Sequence, residues 1–453
     1  MATIDELIRQ LKSGDDAERA AAAEQLGKLH SLRVTEPLIE TLRNDPSPMV
    51  RRAAAEALGE NGDRRALQPM LETLNASESL LRQSVIRAIR KLGDPRAIQP
   101  LANTLENDPD RSVRYTAAYA LGQLGDPRGI QPLIQALLQD SDSNQRQYAA
   151  RALGEISDPR AVNALTTALL QDSDSTVRLY AAYTLGQLGN PRAVDALTTA
   201  LLQDSDTIVR KYAALSLGKI GDRRAVDALL QAFSADKEIS VRAESATALG
   251  KIGDPKAIDA LSQTALNDEE ITLRVAVIHA LGNIRNPRST ETLIHALNDD
   301  AWTIRYNASV ALGTLGDPNA IDALTEALFN PKGDEQLPNA VAKSLAKIQH
   351  PKALQTLLKA VNEVDENSIT SWWIRDAALE ALAERRDPEV IPVLVQALQD
   401  QNASVRTQAA IALQKHIHAH PDIILKLPPE DRNRLGQILQ DQHHKELQDE
   451  LCK

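Results

Sequence analysis

The chain of 453 residues carries a formal net charge of −11, and only 3% of its residues are aromatic. So few rings cannot fill several compact globular cores, and the acidic balance argues against generic binding to a nucleic-acid backbone, which needs clustered Lys and Arg. Cys452 is the single cysteine, which excludes an intramolecular disulfide. Neither an apolar run of the ~18 residues that cross a membrane nor a signal-peptide core is present. We therefore expect a cytoplasmic protein with no nucleic-acid and no membrane partner.

One pattern recurs along the whole chain: an arginine followed seven residues later by an aliphatic residue, usually in Leu-Gly. Most copies lie 31 or 32 residues apart. The arginines are Arg19, Arg51, Arg82, Arg114, Arg146, Arg178, Arg210, Arg242, Arg274, Arg305, Arg375 and Arg406, and one further copy has Pro338 instead. Repetition at this period predicts an all-α solenoid, a right-handed superhelix of about thirteen antiparallel helix pairs that spans 1–453 as one continuous domain.

Residues 190–221 show how one copy is expected to fold. Asn190 is a typical N-cap, and apolar residues at helical spacing then give the first helix one buried stripe. Asp206 is the expected N-cap of the second helix. Gly218 allows that helix to pack closely on its neighbour, and Gly221 ends it in a left-handed conformation. Each copy is therefore a pair of helices.

The pattern becomes irregular at about 330–373, and the three tryptophans flank this stretch. One interpretation is a second contact site formed by Trp302, Tyr306, Trp372 and Trp373. The alternative is a local repair of packing by bulky side chains. The polar tail at about 421–453 is expected to cap the last helix pair.

Two blocks, Val113 to Gly122 and Asp126 to Ile130, carry a family resemblance. They resemble the HEAT-like repeats of phycobilisome lyases, and the resemblance covers essentially the whole chain. It implies a HEAT-type fold and two kinds of function. Relatives of this type include adaptors without chemistry, and also subunits that attach or detach bilin chromophores on phycobiliproteins.

The repeated arginines form one candidate functional feature, because a basic stripe could bind phosphates. However, a cap-type residue usually stands four positions before each arginine, such as Asp142 before Arg146 and Asp174 before Arg178. Each guanidinium is therefore expected to bridge to such a residue in an adjacent repeat. We interpret the stripe as a structural ladder.

The tyrosines form the main candidate site. At ~100° per residue the apolar positions of the second helix share one face, which leaves positions one, two, five and nine after the arginine on the other. All seven tyrosines occupy three of these positions, on the face expected to line the concave side. The predicted partner-binding residues are Tyr115, Tyr119, Tyr148, Arg151, Leu179, Tyr180, Tyr183, Lys211, Tyr212 and Leu215. Tyrosine provides contact area and a hydroxyl at low entropic cost. The alternative is that the rings pack between neighbouring repeats and stiffen the middle.

His416, His418 and His420 resemble a metal tract, but no closed ligand set accompanies them, so we expect no metal and solvated side chains near a helix end at Pro421. No residue pattern predicts catalysis. The leading interpretation is a non-catalytic scaffold, a monomer when alone and without cofactor, that holds a protein partner. The alternative is an enzyme similar to the bilin lyases, or a chromophore chaperone, that binds a bilin and acts on a phycobiliprotein.

Overall fold

The computed structural model describes residues 2–440 except 333, 335, 363–370, 386, 388, 420–422, 424–427 and 439. Its regular elements within these ranges are all helices, which confirms the all-α repeat prediction. The chain divides into two compact units, Met1–Ala228 (unit 1) and Leu229–Lys453 (unit 2). None of the described helices is long and apolar enough to cross a membrane.

Unit 1 consists of helix pairs in which each odd-numbered first helix packs against the even-numbered second helix that follows it. Short 3-10 turns join the later pairs. The helices are α1 (Ile4–Ser13), α2 (Asp16–Gly27), α3 (Thr35–Asn44), α4 (Pro48–Asn61), α5 (Leu67–Thr73), α6 (Ser79–Leu92), α7 (Ile98–Asn107), α8 (Arg111–Leu124), α9 (Ile130–Gln139), α10 (Ser143–Ile156), α11 (Val162–Gln171), α12 (Ser175–Leu188), α13 (Val194–Gln203) and α14 (Thr207–Ile220).

Unit 2 repeats the same arrangement, and the division between the units falls inside its first helix. The helices are α15 (Val226–Ala235), α16 (Ile239–Ile252), α17 (Ile258–Asn267), α18 (Ile271–Ile284), α19 (Thr290–Ala296), α20 (Trp302–Leu315), α21 (Ile321–Phe329), α22 (Leu337–Lys347), α23 (Pro351–Asn362), α24 (Ser371–Leu382), α25 (Val390–Ala397) and α26 (Ala403–Ala419). Residues 429–438 are also helical. Most of the predicted cap at 421–453 lies outside the described residues.

The helix ends follow the expected chemistry. The Asn190 side chain accepts the Arg192 backbone N–H at 3.0 Å, and the Asp206 carboxylate accepts that of Ile208 at 2.8 Å. Gly221 follows α14 with φ +73°, a left-handed conformation that suits glycine. One detail differs from the prediction: a 3-10 turn comes first after Asn190, and α13 begins three residues later.

Glycines bring neighbouring second helices unusually close together. A Cβ on Gly122 in α8 would lie 2.8 Å from the Cα of Ala152 in α10, and one on Gly250 would lie 2.6 Å from the Cα of Ala280. Cβ atoms do not tolerate contacts this short, so only glycine fits these positions. The prediction that repeated glycines allow close packing is therefore confirmed in both units.

The first helices of unit 1 are less tightly packed. A cavity of about 630 Å³ opens between α7 and α9, lined by Gln99, Gln131 and Gln139 among others. A second cavity of about 630 Å³ opens between α5 and α7. Because the second helices touch closely while gaps open between α5, α7 and α9, we interpret the second helices as the inner layer of unit 1. This is the layer predicted to carry the binding site.

The arginine ladder is structural; the predicted acidic partner is correct for Arg51, which donates to Glu78 at 2.6 Å, but wrong for most other copies. Arg146 donates two hydrogen bonds to Asp172, at 2.7 and 2.8 Å, rather than bonding to Asp174 two residues further on. Its remaining nitrogen donates to the carbonyl of Asp140 at 3.0 Å. The residue expected as the partner, Asp174, instead caps α12. Each such arginine therefore joins its own inter-helix turn to the turn of the next repeat.

A second ladder, missed in the sequence, runs along the turns between repeats. Asp126 accepts the backbone N–H of Arg128 at 2.9 Å and its guanidinium at 2.7 Å. Arg128 also donates to the carbonyl of Pro95 in the preceding repeat at 3.0 Å. Equivalent arginines with the same two partners are Arg65, Arg160 and Arg224. The recurring Asp-Pro-Arg, which reads Asp-Arg-Arg at Arg65 and Arg224, was the signal that could have predicted this ladder.

The irregular stretch keeps the helix-pair arrangement through a substitute contact. Pro338 lies in the first turn of α22, and α22 ends without the left-handed glycine found elsewhere. Arg385, which is buried, donates to the carbonyls of Ala346 and Ile348 at 3.2 and 3.0 Å. These bonds satisfy carbonyl groups at the helix end. Residues 333, 335 and 363–370 of this stretch lie outside the described part.

Candidate protein-binding surface

The ten predicted contact residues all lie on α8, α10, α12 and α14, the inner layer of unit 1. Tyr119 and Arg151 are exposed, and the others are half-buried. We call this set the inner surface: Tyr115, Tyr119, Tyr148, Arg151, Leu179, Tyr180, Tyr183, Lys211, Tyr212 and Leu215. The structure therefore places these residues on neighbouring helices of one layer.

Two of the rings form a stacked pair across neighbouring repeats. The centroids of Tyr115 on α8 and Tyr148 on α10 lie 4.9 Å apart, with 22° between the ring planes. The Tyr115 hydroxyl donates to Asp142, the N-cap of α10. Burial and this carboxylate raise the pKa of Tyr115 to about 12, while the hydroxyl holds the pKa of Asp142 below its ordinary value. This pair stiffens the repeat junction as well as offering a face.

A second pair links α12 to α14. Tyr183 and Tyr212 meet edge to face, with centroids 6.0 Å apart. Gln187 donates to the Tyr183 hydroxyl at 2.9 Å, and the Lys219 ammonium lies 4.8 Å from the centroid of the Tyr183 ring. Aromatic pairs of this kind contribute about 0.5–1.5 kcal/mol beyond burial. Four of the tyrosines therefore pack against a ring of a neighbouring repeat.

Tyr119 marks a departure from the repeat at the junction of α6 and α8. Arg90 occupies the position where neighbouring second helices carry a closely packed glycine, and its guanidinium carbon lies 5.5 Å from the centroid of the Tyr119 ring. Tyr119 remains 39% exposed. The face of the Tyr119 ring that Arg90 does not cover is therefore available to a partner.

Two side chains of the inner surface have no structural role among the described contacts. Arg151 is exposed, and no carboxylate within the described residues pairs with it. Tyr180 is half-buried, and neither its ring nor its hydroxyl has a partner in the described part. Leu179 and Leu215 lie on the same layer and are also half-buried. The accessible parts of these four side chains are therefore free to contact a partner.

The charge of the inner surface is weakly basic. Arg151, Lys211 and Lys219 outnumber Glu155 on this face of α10 to α14. Towards the N-terminus, by contrast, charged side chains pair with one another. These ion pairs are Arg87 with Glu56 and Lys91 with Glu60. Arg151 and Lys211, by contrast, have no carboxylate partner among the described contacts and are left for a partner.

The proposed second contact divides into two parts. Trp302 opens α20 and is 54% exposed, while Tyr306 one turn later is half-buried. Trp372 and Trp373 lie on α24 and meet edge to face, with centroids 5.5 Å apart. Because α22 packs between α20 and α24, the four rings do not form one cluster.

One buried residue of α10 was missed in the sequence. Gln145 is 0% exposed, and both polar atoms of its amide lack a hydrogen-bond partner within the described part of the chain. The neighbouring repeats carry Val113 and Val177 at this position, both fully buried. Glutamine at a repeat position that is otherwise apolar was the sequence signal that could have predicted this buried amide.

The histidine tract differs from its prediction. His416 is buried, and its Nε2 lies 3.1 Å from the carbonyl oxygen of Leu382, so it is a core residue rather than a solvated one. The Nδ1 of His418 lies 2.9 Å from the carbonyl of Gln414 on the same helix. His420 lies outside the described residues. Across the described ranges no three His, Cys, Asp or Glu side chains are placed to hold a metal ion.

Comparison with known proteins defines the class. The HEAT repeats family matches residues 4–89, 68–143, 130–211, 194–272, 258–336 and 367–451, so the chain belongs to the HEAT-repeat family. No curated protein matches its sequence.

Solved structures of karyopherins are similar in fold. Kap121p bound to the extreme C-terminus of the protein phosphatase Cdc14p is 15% identical, with a TM-score of 0.63 over 94% of this chain and 55% of that chain. Importin beta is 16% identical, with a TM-score of 0.60 over 96% of this chain and 72% of that one. The chain spans about half the length of Kap121p. At this identity the likeness concerns the fold alone.

Proposed function

We propose that the protein is a non-catalytic scaffold whose inner surface in unit 1 holds a segment of a protein partner. The observation that carries the proposal is the group of Tyr119, Arg151 and Tyr180, side chains of the types enriched at protein interfaces, which the fold leaves accessible. They lie on a layer whose other rings are already fixed by stacking, so little ordering entropy is lost on binding.

The chemistry of the surface favours a partner segment with acidic and apolar side chains. Arg151, Lys211 and Lys219 supply positive charge, and Leu179 and Leu215 supply apolar area between the rings. Kap121p binds the extreme C-terminus of a phosphatase. By analogy, the partner region of this protein is a chain segment that lies along the inner layer.

The test is affinity capture from the soluble extract of the source cells, with the full chain and two matched variants. The double variant Arg151→Ser and Tyr180→Ala removes side chains without partners among the described contacts, so the thermal midpoint should not change. The control, Gln131→Ala with Gln139→Ala, alters the outer cavity between α7 and α9. We expect the control to retain the partner and the first variant to retain about tenfold less.

Equal capture by the Arg151 and Tyr180 variant would overturn the proposal. An absorbance spectrum of the eluate distinguishes the scaffold from the alternative function, which involves a bilin. A visible bilin band or a captured phycobiliprotein would replace the scaffold by an enzyme similar to the bilin lyases or by a chromophore chaperone.

A further inference from the structure

Three consecutive second helices of unit 2 begin with apolar side chains that point to solvent. Ile239 opens α16, Ile271 opens α18 and Trp302 opens α20, with exposures of 37%, 46% and 54%. Leu266 at the end of α17, across the turn from Ile271, is 41% exposed. We call these four residues the apolar row. Packed helices lie about 8–10 Å apart, so the row is about 20 Å long.

The fold does not require apolar residues at these positions. The residues that open α8, α10, α12 and α14 in unit 1 are polar, namely Arg111, Ser143, Ser175 and Thr207. Leu266 differs from these three helix starts, because its counterparts in unit 1, Leu138 and Leu170, are exposed leucines as well. The helices of unit 1 nevertheless pack through the same ladder and the same glycines. An exposed tryptophan contributes little burial to stability, whereas it is among the residues most enriched at interface hot spots.

The same helix starts also lack the aspartate caps of α8 to α14, as do α4 and α6 of unit 1. Asp142 and Asp174 accept backbone N–H groups at the starts of α10 and α12. Glu238, Glu270 and Ala301 precede α16, α18 and α20, and none makes a side-chain cap within the described contacts. An Asp cap contributes about 1 kcal/mol, which these three helices forgo. Because α4 and α6 are also uncapped, the apolar residues at the first positions are what distinguishes this edge.

The charge beside the apolar row is mainly negative. Asp268 and Asp299 are engaged by the ladder arginines Arg242 and Arg274. Four further carboxylates lie in these turns and outnumber the two ammonium groups near them. The carboxylates are those of Glu238, Glu269, Glu270 and Asp300, and the ammonium groups are those of Lys237 and Lys332. An apolar strip bordered by surplus carboxylates is complementary to an apolar strip bordered by lysine or arginine.

We propose that the apolar row is a docking edge for a basic amphipathic helix of a protein partner, distinct from the segment held by the inner surface. Seven residues of an α-helix rise about 10.5 Å, which is close to the ~8–10 Å between packed second helices. Apolar side chains at every second turn of the partner contact Ile239, Ile271 and Trp302 in sequence. A second copy of this chain is disfavoured as occupant, because a two-fold contact would bring Glu269 and Glu270 against themselves.

The probe is a fluorescent helical peptide of about 21 residues with leucine at every seventh position and lysine alongside. A matched peptide carries glutamate in place of each lysine. Anisotropy titrations with the full chain should give a Kd of roughly micromolar order for the basic peptide and binding at least about tenfold weaker for the acidic one. The preference should decrease as salt is raised, because exposed charges are screened.

Variants locate the site. Ile271→Ser and Trp302→Ser each remove an exposed side chain and should weaken the basic peptide about tenfold or more. Leu80→Ser is the control, since Leu80 on α6 is 57% exposed but belongs to unit 1. Glu269→Lys combined with Glu270→Lys should weaken the basic peptide and strengthen the acidic one.

Three results would overturn the proposal. The first is equal affinity for the two peptides. The second is no binding of the basic peptide at a protein concentration of roughly a hundred times the expected Kd. The third is that Trp302→Ser binds the basic peptide as tightly as the parent does. Sedimentation provides a separate readout: a dimer that dissociates in Trp302→Ser would identify a second copy as the occupant and contradict the basic helix.

Discussion

The inner surface of unit 1 and the apolar row of unit 2 are built on the same helix pair but use different positions of it. In unit 1 the contact residues lie in the middle of second helices that begin with aspartate caps. At α16, α18 and α20 of unit 2 the accessible apolar groups stand at the first turns, and side-chain caps are missing within the described contacts. The difference shows that the ladder and the close glycines hold the fold. The remaining positions of each repeat are therefore free to specialise.

The largest effects should come from the shared scaffold and be alike in both units. Arg178→Ala and Arg274→Ala each leave a largely buried carboxylate, of Asp204 or Asp299, without its arginine partner. Each should lower the free energy of unfolding by about 3–5 kcal/mol. Arg33→Ala, which removes an exposed pair with Asp5, should change it by less than about 1 kcal/mol. Urea unfolding measures all three variants. A large loss of stability in only one unit would contradict the statement that the ladder holds both units alike.

The next effect concerns the buried amide of Gln145 in unit 1. Gln145→Val should raise the free energy of unfolding by about 1–3 kcal/mol, because an unpaired buried polar group is replaced by the residue that neighbouring repeats carry. The reverse change, Val177→Gln, is the matched control and should lower it. Loss of stability in Gln145→Val would show that the amide has a partner that the described contacts lack.

The caps give the most direct comparison between the units. Asp174→Ala should lower the free energy of unfolding by about 1 kcal/mol, because Asp174 accepts the N–H groups of Thr176 and Val177. Glu270→Ala should change it by no more than a few tenths, because its side chain makes no cap in the described contacts. Both are measured by thermal and urea unfolding. Equal losses would contradict the assignment of Asp174 as a cap and of Glu270 as a residue without one.

The smallest expected effect is the dependence of the free energy of unfolding on acidic pH. Backbone N–H groups at the start of α8 hold the pKa of Asp110 below its ordinary value, and the Ser143 hydroxyl does the same for Asp174. A carboxylate with a lowered folded-state pKa contributes its stability fully above the unfolded value of about 3.9. That stability is lost as pH falls through the folded-state pKa.

The free energy of unfolding should therefore be steady from neutral pH to about pH 5 and decrease below about pH 4. Asp174→Asn keeps a good N-cap but removes the titration, so this variant should lose slightly less stability on acidification than the parent. An identical decrease in parent and variant would contradict the assignment of Asp174.

Much of the fold could be predicted because every repeat has the same surroundings. The cap at Asp206, the left-handed Gly221 and the close packing through glycine follow from local chemistry that recurs at a fixed period. The face that carries the tyrosines was also predictable, since helical periodicity assigns Tyr148 and Tyr180 to the side opposite the apolar stripe.

Contacts between repeats were harder to predict, because they depend on how far one helix pair rotates and slides against the next. That uncertainty explains why Asp174 was expected as the ladder partner in place of Asp172. It also explains why the stacking of Tyr115 on Tyr148 was only one of two alternatives. His416 was misjudged for a related reason, since its burial depends on the position of α24.

The central claim is that the inner layer of unit 1 binds the partner, and site-specific photo-crosslinking tests it most directly. A photoreactive phenylalanine placed at Tyr180 is compared with one placed at Gln131, in the cavity between α7 and α9. The account predicts that Tyr180 crosslinks to the captured partner and that Gln131 does not. Crosslinking from Gln131 alone would place the partner on the outer layer and contradict the account.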